Sequence, residues 1–185
     1  KMKAIILILM IVMSTYAQQE VEVAPKDIAQ FIQGFLKGAL GQDFGNIEAC
    51  MTNADGIIHD VGNLINAFQG KIDWMKAVLA IGALLTDIPG AISNCKDLPK
   101  AIVDTFKSWG SKIKNPFTIV RIVANATLHY LGRITGDAKG FVDNWKANNF
   151  MQSGVSLGDI PYVLFNKCEI EETPVQTVQE ILVSE

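Results

Sequence analysis

The sequence predicts an all-α protein, a compact bundle of about six to seven helices packed in orthogonal and antiparallel fashion within a single domain. Three observations predict it. Apolar residues recur at intervals of three and four along most of the chain, the signature of helices with one buried face. No stretch reads convincingly as a strand. Proline and glycine fall at helix starts and stops. At 185 residues the chain suits one ordinary domain and is short for two. Its hydrophobic fraction of 49% supplies the apolar area that a disordered chain lacks. Its 15 glycines follow no collagen-like period. With 16 basic against 19 acidic residues, a net charge of −3, there is no basic footprint for nucleic acid.

Lys1 and Lys3 precede an unbroken apolar run over 4–13, followed by Ser14-Thr15-Tyr16-Ala17. A basic start, a short apolar core and small residues at Thr15 and Ala17 describe a secretory leader over 1–17, cleaved before Gln18. As a helix the apolar core is about 15–21 Å long, short of a bilayer interior of about 30 Å. Losing Lys1 and Lys3 takes the net charge from −3 to −5. No later run reaches the 18 or so apolar residues of a spanning helix, so no transmembrane span is expected in the secreted chain. Residues 18–26 form an N-terminal extension, 27–168 the helical domain and 169–185 an acidic tail.

The first helix is capped by Asp27 and carries Ile28, Phe31, Ile32, Phe35, Leu36 and Leu40 on one stripe. Gly34 and Gly38 stand four apart on one side, a spacing that lets another helix approach closely. The second runs from Phe44 to Phe68 in helical register, until Gln69-Gly70 breaks it. The third, from about Ile72, is apolar on nearly all sides through Leu85 and therefore central. Pro89 interrupts it, and a short continuation carries Ile92 to Cys95. Asp97-Leu98-Pro99 opens a fourth helix and Asn115-Pro116 a fifth, each with proline in the first turn. Gly132 ends the fifth, a sixth covers 137–150, and Gly158-Asp159-Ile160-Pro161 begins a seventh that runs to Cys168. The tail has Glu169, Glu171 and Glu172 before Thr173-Pro174, then at most a weak amphipathic turn or two.

Cys50, Cys95 and Cys168 leave one pair and one thiol over in an oxidising compartment. Reflection about the Gln69-Gly70 turn sets Cys50 opposite residue 89, about six residues or 9 Å short of Cys95. A fold-back at Pro89 removes that offset, so Cys50–Cys95 is the expected bond. Asn125-Ala126-Thr127 is a glycosylation sequon at Asn125.

Catalytic chemistry does not announce itself. Neither GxSxG, HExxH, a P-loop nor a dinucleotide glycine fingerprint occurs. His59 and His129 lie far from any cysteine, which argues against zinc, and no DxDxDG-like run offers a calcium loop. His59 and Cys50 would fall on nearly opposite helix faces, so His59 reads as a surface residue. Asp55, Asp60 and Asp73 could be assembled into an acid pair, as in any chain with this many acids. No enzyme, cofactor or metal is expected.

The run Phe31-Ile32-Gln33-Gly34-Phe35-Leu36-Lys37-Gly38, then Cys50, then Asp87-Ile88-Pro89 leading to Asn94-Cys95-Lys96, resembles small secreted helical proteins of ciliates over about residues 28–165. The resemblance implies a secreted helical domain with the Cys50–Cys95 bond and carries over no catalytic residues. The leading functional expectation is a structural or protein-interaction role at the cell exterior, through self-association or contact with another extracellular protein. The alternative is a carrier of lipid or another apolar ligand in an interhelical groove formed by Phe31, Gly34, Phe35, Leu36, Gly38 and Phe68.

Overall fold

The computed structural model describes residues 23–167 other than Asn46 and Asn53. The expected leader, Cys168 and the acidic tail lie outside the described residues. Seven α-helices follow one another: α1 (Pro25–Leu40), α2 (Asp55–Phe68), α3 (Trp74–Ala91), α4 (Lys100–Ile113), α5 (Pro116–His129), α6 (Leu131–Lys146) and α7 (Phe150–Tyr162). A five-residue π-helical turn, Val163–Lys167, closes the series. The described residues contain no strand, so the fold is the all-α bundle the periodicity predicts.

Local chemistry explains most of the ends. Pro25 occupies the first position of α1, where a missing N–H costs nothing. The Ala24 N–H donates to the Asp27 carboxylate at 3.1 Å, so Asp27 sits inside the first turn instead of capping it. Gly41 closes α1 with φ 69°, a conformation that favours glycine. The Asp73 carboxylate accepts the Lys76 N–H at 3.1 Å at the start of α3. Asn115 accepts the Phe117 N–H at 2.9 Å, with Pro116 behind it, at the start of α5.

Four expected boundaries are corrected. The helix expected from Phe44 starts at Asp55; the described residues of 41–54 are irregular apart from a bend at Gly41 and a turn at 48–50, with Gly41 and Gly45 both at positive φ. Pro89 does not interrupt α3, which continues to Ala91. Gly132 lies in the first turn of α6 and does not end α5, because Tyr130 already separates the two helices. Gly158, expected to begin the seventh helix, lies with Gly154 inside α7, which starts eight residues earlier at Phe150. Their role is tertiary, as described below.

In packing terms α7 lies between α1 and α6, while α3 touches α2, α4 and α5. Phe31, Phe35, Phe106 and Phe141 are the largest fully buried side chains. Phe31 meets the Trp145 ring edge-on at 5.5 Å and Phe35 meets Phe106 at 5.8 Å, separations at which aromatic pairs attract beyond their buried area. Ser153, also buried, donates its hydroxyl to the Phe141 carbonyl at 2.8 Å. Among the described helices α3 is the one long and apolar enough to cross a membrane by length and composition, and 56% of that span is buried inside the bundle.

Cys50 and Cys95 are bonded, with Cα atoms 4.9 Å apart. The pairing is the expected one, but its cause differs. The chain does not fold back at Pro89. Instead α2 starts late, and the turn at 47–50 brings Cys50 across to the end of α3, where the Thr52 N–H donates to the Ala91 carbonyl at 3.0 Å. Cys95 waits in the turn after α3, its own N–H on the Ile92 carbonyl.

Candidate contact surface

Gly34 and Gly38 face α7. A Cβ on Gly34 would run into the Met151 carbonyl oxygen, and one on Gly38 into that of Val155. The contact is reciprocal, since a Cβ on Gly154 would strike the Phe31 carbonyl and one on Gly158 the Phe35 carbonyl. Two GxxxG stripes are thus pressed backbone to backbone. The groove expected along α1 is filled by α7, and Phe31, Phe35 and Leu36 are fully buried beside it. Phe68 meets the Phe141 ring edge-on at 6.1 Å and lines a small apolar void.

A small void and two open clefts lie elsewhere among the described residues. The apolar void between α3, α5, α6 and α7, lined by Phe68, Val78, Ile81, Ile160 and Leu164 among others, measures about 10 Å³, roughly room for one water. Two clefts open to solvent flank α3. One of about 450 Å³ is lined by His59, Asp60, Asn63, Asp73, Lys76 and Leu79. The other, of about 400 Å³, is lined by Leu79, Gly82, Thr86, Ile113, Pro116 and Ile119. No group of three or more potential metal ligands occurs among the described residues.

Of the three acids Asp55, Asp60 and Asp73, the last two line the first of these clefts. His59 is at the surface, its side chain 77% exposed. Asp60, next to it, is only 5% exposed; burial first, then the charge of Asp87, push its carboxyl above the ordinary range. Its position one helical turn from Ile57 and beside Val61 is the only trace of that burial in the sequence.

A partly buried pair of acids was not anticipated. Arg133 on α6 holds Asp159 on α7 through two hydrogen bonds of 2.7 Å, Nε to Oδ2 and Nη2 to Oδ1. Asp137, one turn along α6, faces the same carboxylate. Burial, then the hydrogen bond to Asp159, raise Asp137 to about 7. For Asp159, burial alone would raise the pKa, but the bonds to Arg133 and Asp137 hold it below the ordinary value. Asp137 Oδ2 is buried with no N–H or O–H donor in reach; a retained proton turns Asp137 into a donor to Asp159.

This shared proton has a measurable consequence. The unfolded chain releases the Asp137 proton near pH 4, whereas the folded protein keeps it to about 7. The folded state therefore binds more protons between those values, and its stability falls as pH rises through that window. Asp137 is half-exposed, so solvent screening reduces the effect to about 1 kcal/mol. Asp137→Asn should flatten the decline in melting temperature between pH 5 and pH 8; an unchanged slope would remove Asp137 as its source.

The most unusual surface belongs to α5. Ile119, Ile122 and Ala126 point inward. The opposite face carries Phe117, Val120, Ala124 and Leu128, continued by Leu131 at the start of α6, all exposed. Phe117 and Leu128 are 79% and 78% exposed. The spacing predicts Phe117, Ile119, Val120, Val123, Thr127 and Leu131 facing inward; of these Ile119 is buried, Val123 and Thr127 are half-buried, and Phe117, Val120 and Leu131 face solvent instead. The outward stripe repeats at the same intervals (three, four, four and three), so the sequence showed two apolar faces without saying which was covered. Asn125 lies half-buried between them, with the Thr127 hydroxyl donating to the Val123 and Ala124 carbonyls.

Together these features define a disulfide-clamped helical domain with two helices pressed backbone to backbone and an apolar outer face. The chain belongs to the SctB-like family (secreted protein B-like), whose family model matches residues 12–166. It is thus a member of a family of secreted proteins. No curated protein and no solved structure matches it.

Proposed function

We propose that this protein is a non-enzymatic component of the cell exterior that works by contact with other protein surfaces, copies of itself first, through the outward face of α5. The observation that carries this reading is the doubly apolar helix: five apolar side chains point to solvent opposite a buried face. Contiguous exposed apolar patches on otherwise compact proteins mark interaction surfaces, and large exposed rings are the usual anchors of such contacts. Membership of a secreted family supports the location. A carrier of apolar ligands would need a dry chamber, and the apolar void between α3, α5, α6 and α7 measures only about 10 Å³ among the described residues.

The test is sedimentation velocity of the secreted protein over a concentration series, beside the Phe117→Ser/Leu128→Ser double variant. Both positions are exposed, so the variant should keep its helical circular dichroism and lose concentration-dependent association. Equal association by both proteins would overturn the reading. Organic extraction followed by mass spectrometry should find no lipid at one mole per mole of protein; finding one would restore the carrier.

A further inference from the structure

The described chain ends beside the exposed face of α5. The Tyr130 hydroxyl donates to the Lys167 carbonyl at 3.4 Å, and Tyr130 stands between Leu128 and Leu131 at one end of that face. Phe165, two residues earlier, stacks on Trp109 of α4 at 5.3 Å. Lys167, the last described residue, therefore lies at one end of an apolar stripe that no described residue covers.

Charge points the same way. From residue 105 to 136 the chain carries Lys107, Lys112, Lys114, Arg121 and Arg133 and no acid. From 168 to 185 it carries Glu169, Glu171, Glu172, Glu180 and Glu185 and no Lys or Arg. Between those acids stand Val175, Val178, Ile181 and Leu182, at intervals of three, three and one, which gather on one side of a helix. The stripe from Leu131 back to Phe117 is about 21 Å long at 1.5 Å per residue. Residues 168–174 alone can span roughly 23 Å when extended, so the segment has ample reach.

We propose that residues 175–182 lie back along the outward face of α5, with Val178, Ile181 and Leu182 over the Leu128–Val120–Phe117 stripe and the terminal acids toward Lys112 and Lys114. This rests on the reading of α5 as a contact face and adds its regulation: the chain's own tail competes with the incoming surface. A protein carrying such a patch stays soluble while the tail covers it, and becomes adhesive when a partner or high salt displaces the tail.

Two measurements on the full chain test it. Carbodiimide coupling of dilute wild-type protein, followed by peptide mapping of the monomer, should join Glu180 or Glu185 to Lys112 or Lys114. Links that instead favour Lys26 or Lys37, on α1, would overturn the proposal, as would links found only in dimers, which would make a second copy the occupant. Hydroxyl-radical labelling should oxidise Phe117 and Leu128 several-fold faster in Ile181→Asp/Leu182→Asp than in wild type. Wild-type labelling should rise in about 1 M salt, where the Debye length shrinks to about 3 Å. Equal labelling of variant and wild type would overturn it. Failure of the contact reading looks different: Phe117→Ser/Leu128→Ser would then leave association unchanged whatever the tail does.

Discussion

Replacing Gly154 by alanine should destabilise this protein by about 3 kcal/mol, the upper part of the range for overpacking a filled interior. The added methyl group has nowhere to go. Besides the Phe31 carbonyl oxygen it would lie 2.7 Å from the Phe35 nitrogen and 3.0 Å from the Phe31 carbonyl carbon. These are backbone atoms of a rigid helix and cannot swing aside as a side-chain end could. Helices α1 and α7 must part, and their parting loosens the aromatic cluster of Phe31, Phe141 and Trp145 behind them. Gly34→Ala should behave alike, because its methyl group would lie 2.9 Å from the Met151 carbonyl carbon. The double variant should lose less than the sum, since one separation relieves both clashes. Gly62 supplies the control. Nothing lies within 4 Å of a Cβ there, so Gly62→Ala should gain about 0.5–1 kcal/mol from helix propensity. Thermal melts of the four variants decide the matter. Equal shifts for Gly154→Ala and Gly62→Ala would mean that α1 and α7 do not touch as described.

Removing the disulfide is expected to cost as much. Cys50 and Cys95 are 45 residues apart, and in the chain-entropy account closing such a loop restricts the unfolded state by about 4 kcal/mol. Cys50→Ala/Cys95→Ala should therefore melt well below the oxidised wild type, by roughly 8–16 °C for a chain of this size. Wild type under reducing conditions should fall toward the same value. The bond ties the 47–50 turn to the end of α3, so the double variant should lose amide protection first at the Thr52 N–H. A variant as stable as wild type would show that the turn is held by its hydrogen bonds alone.

Both results concern features that the sequence displays to different degrees. Helical periodicity and the prolines at the starts of α4 and α5 are local. A helix needs only its own residues to show them, so seven helices and their approximate order could be read without coordinates. The cysteine pairing was also legible, because a short link between α2 and α3 makes them antiparallel. The means of closure was not: Phe44, Ile47 and Met51 keep helical spacing, yet glycines at positive φ hold that segment out of a helix.

Where glycine stood, local reading failed in opposite directions. Gly34 and Gly38 announced a close approach but not what approached. Of the matching half, Gly158 looked like a helix start and Gly154 stood unmarked, because a glycine's helix cost is visible in one segment and its packing gain only in two. Asp137 and Asp159 repeat the point, since 22 positions of chain separate two carboxyls that share a proton. The sequence by itself determined that this protein is helical, where most of its helices lie and which sulfurs join, for these depend on neighbours a few residues away. Tertiary structure alone decided that α7 fills the groove of α1, that two acids are forced to share a charge, and that α5 keeps one apolar face in water, because each depends on which surface another segment happens to cover.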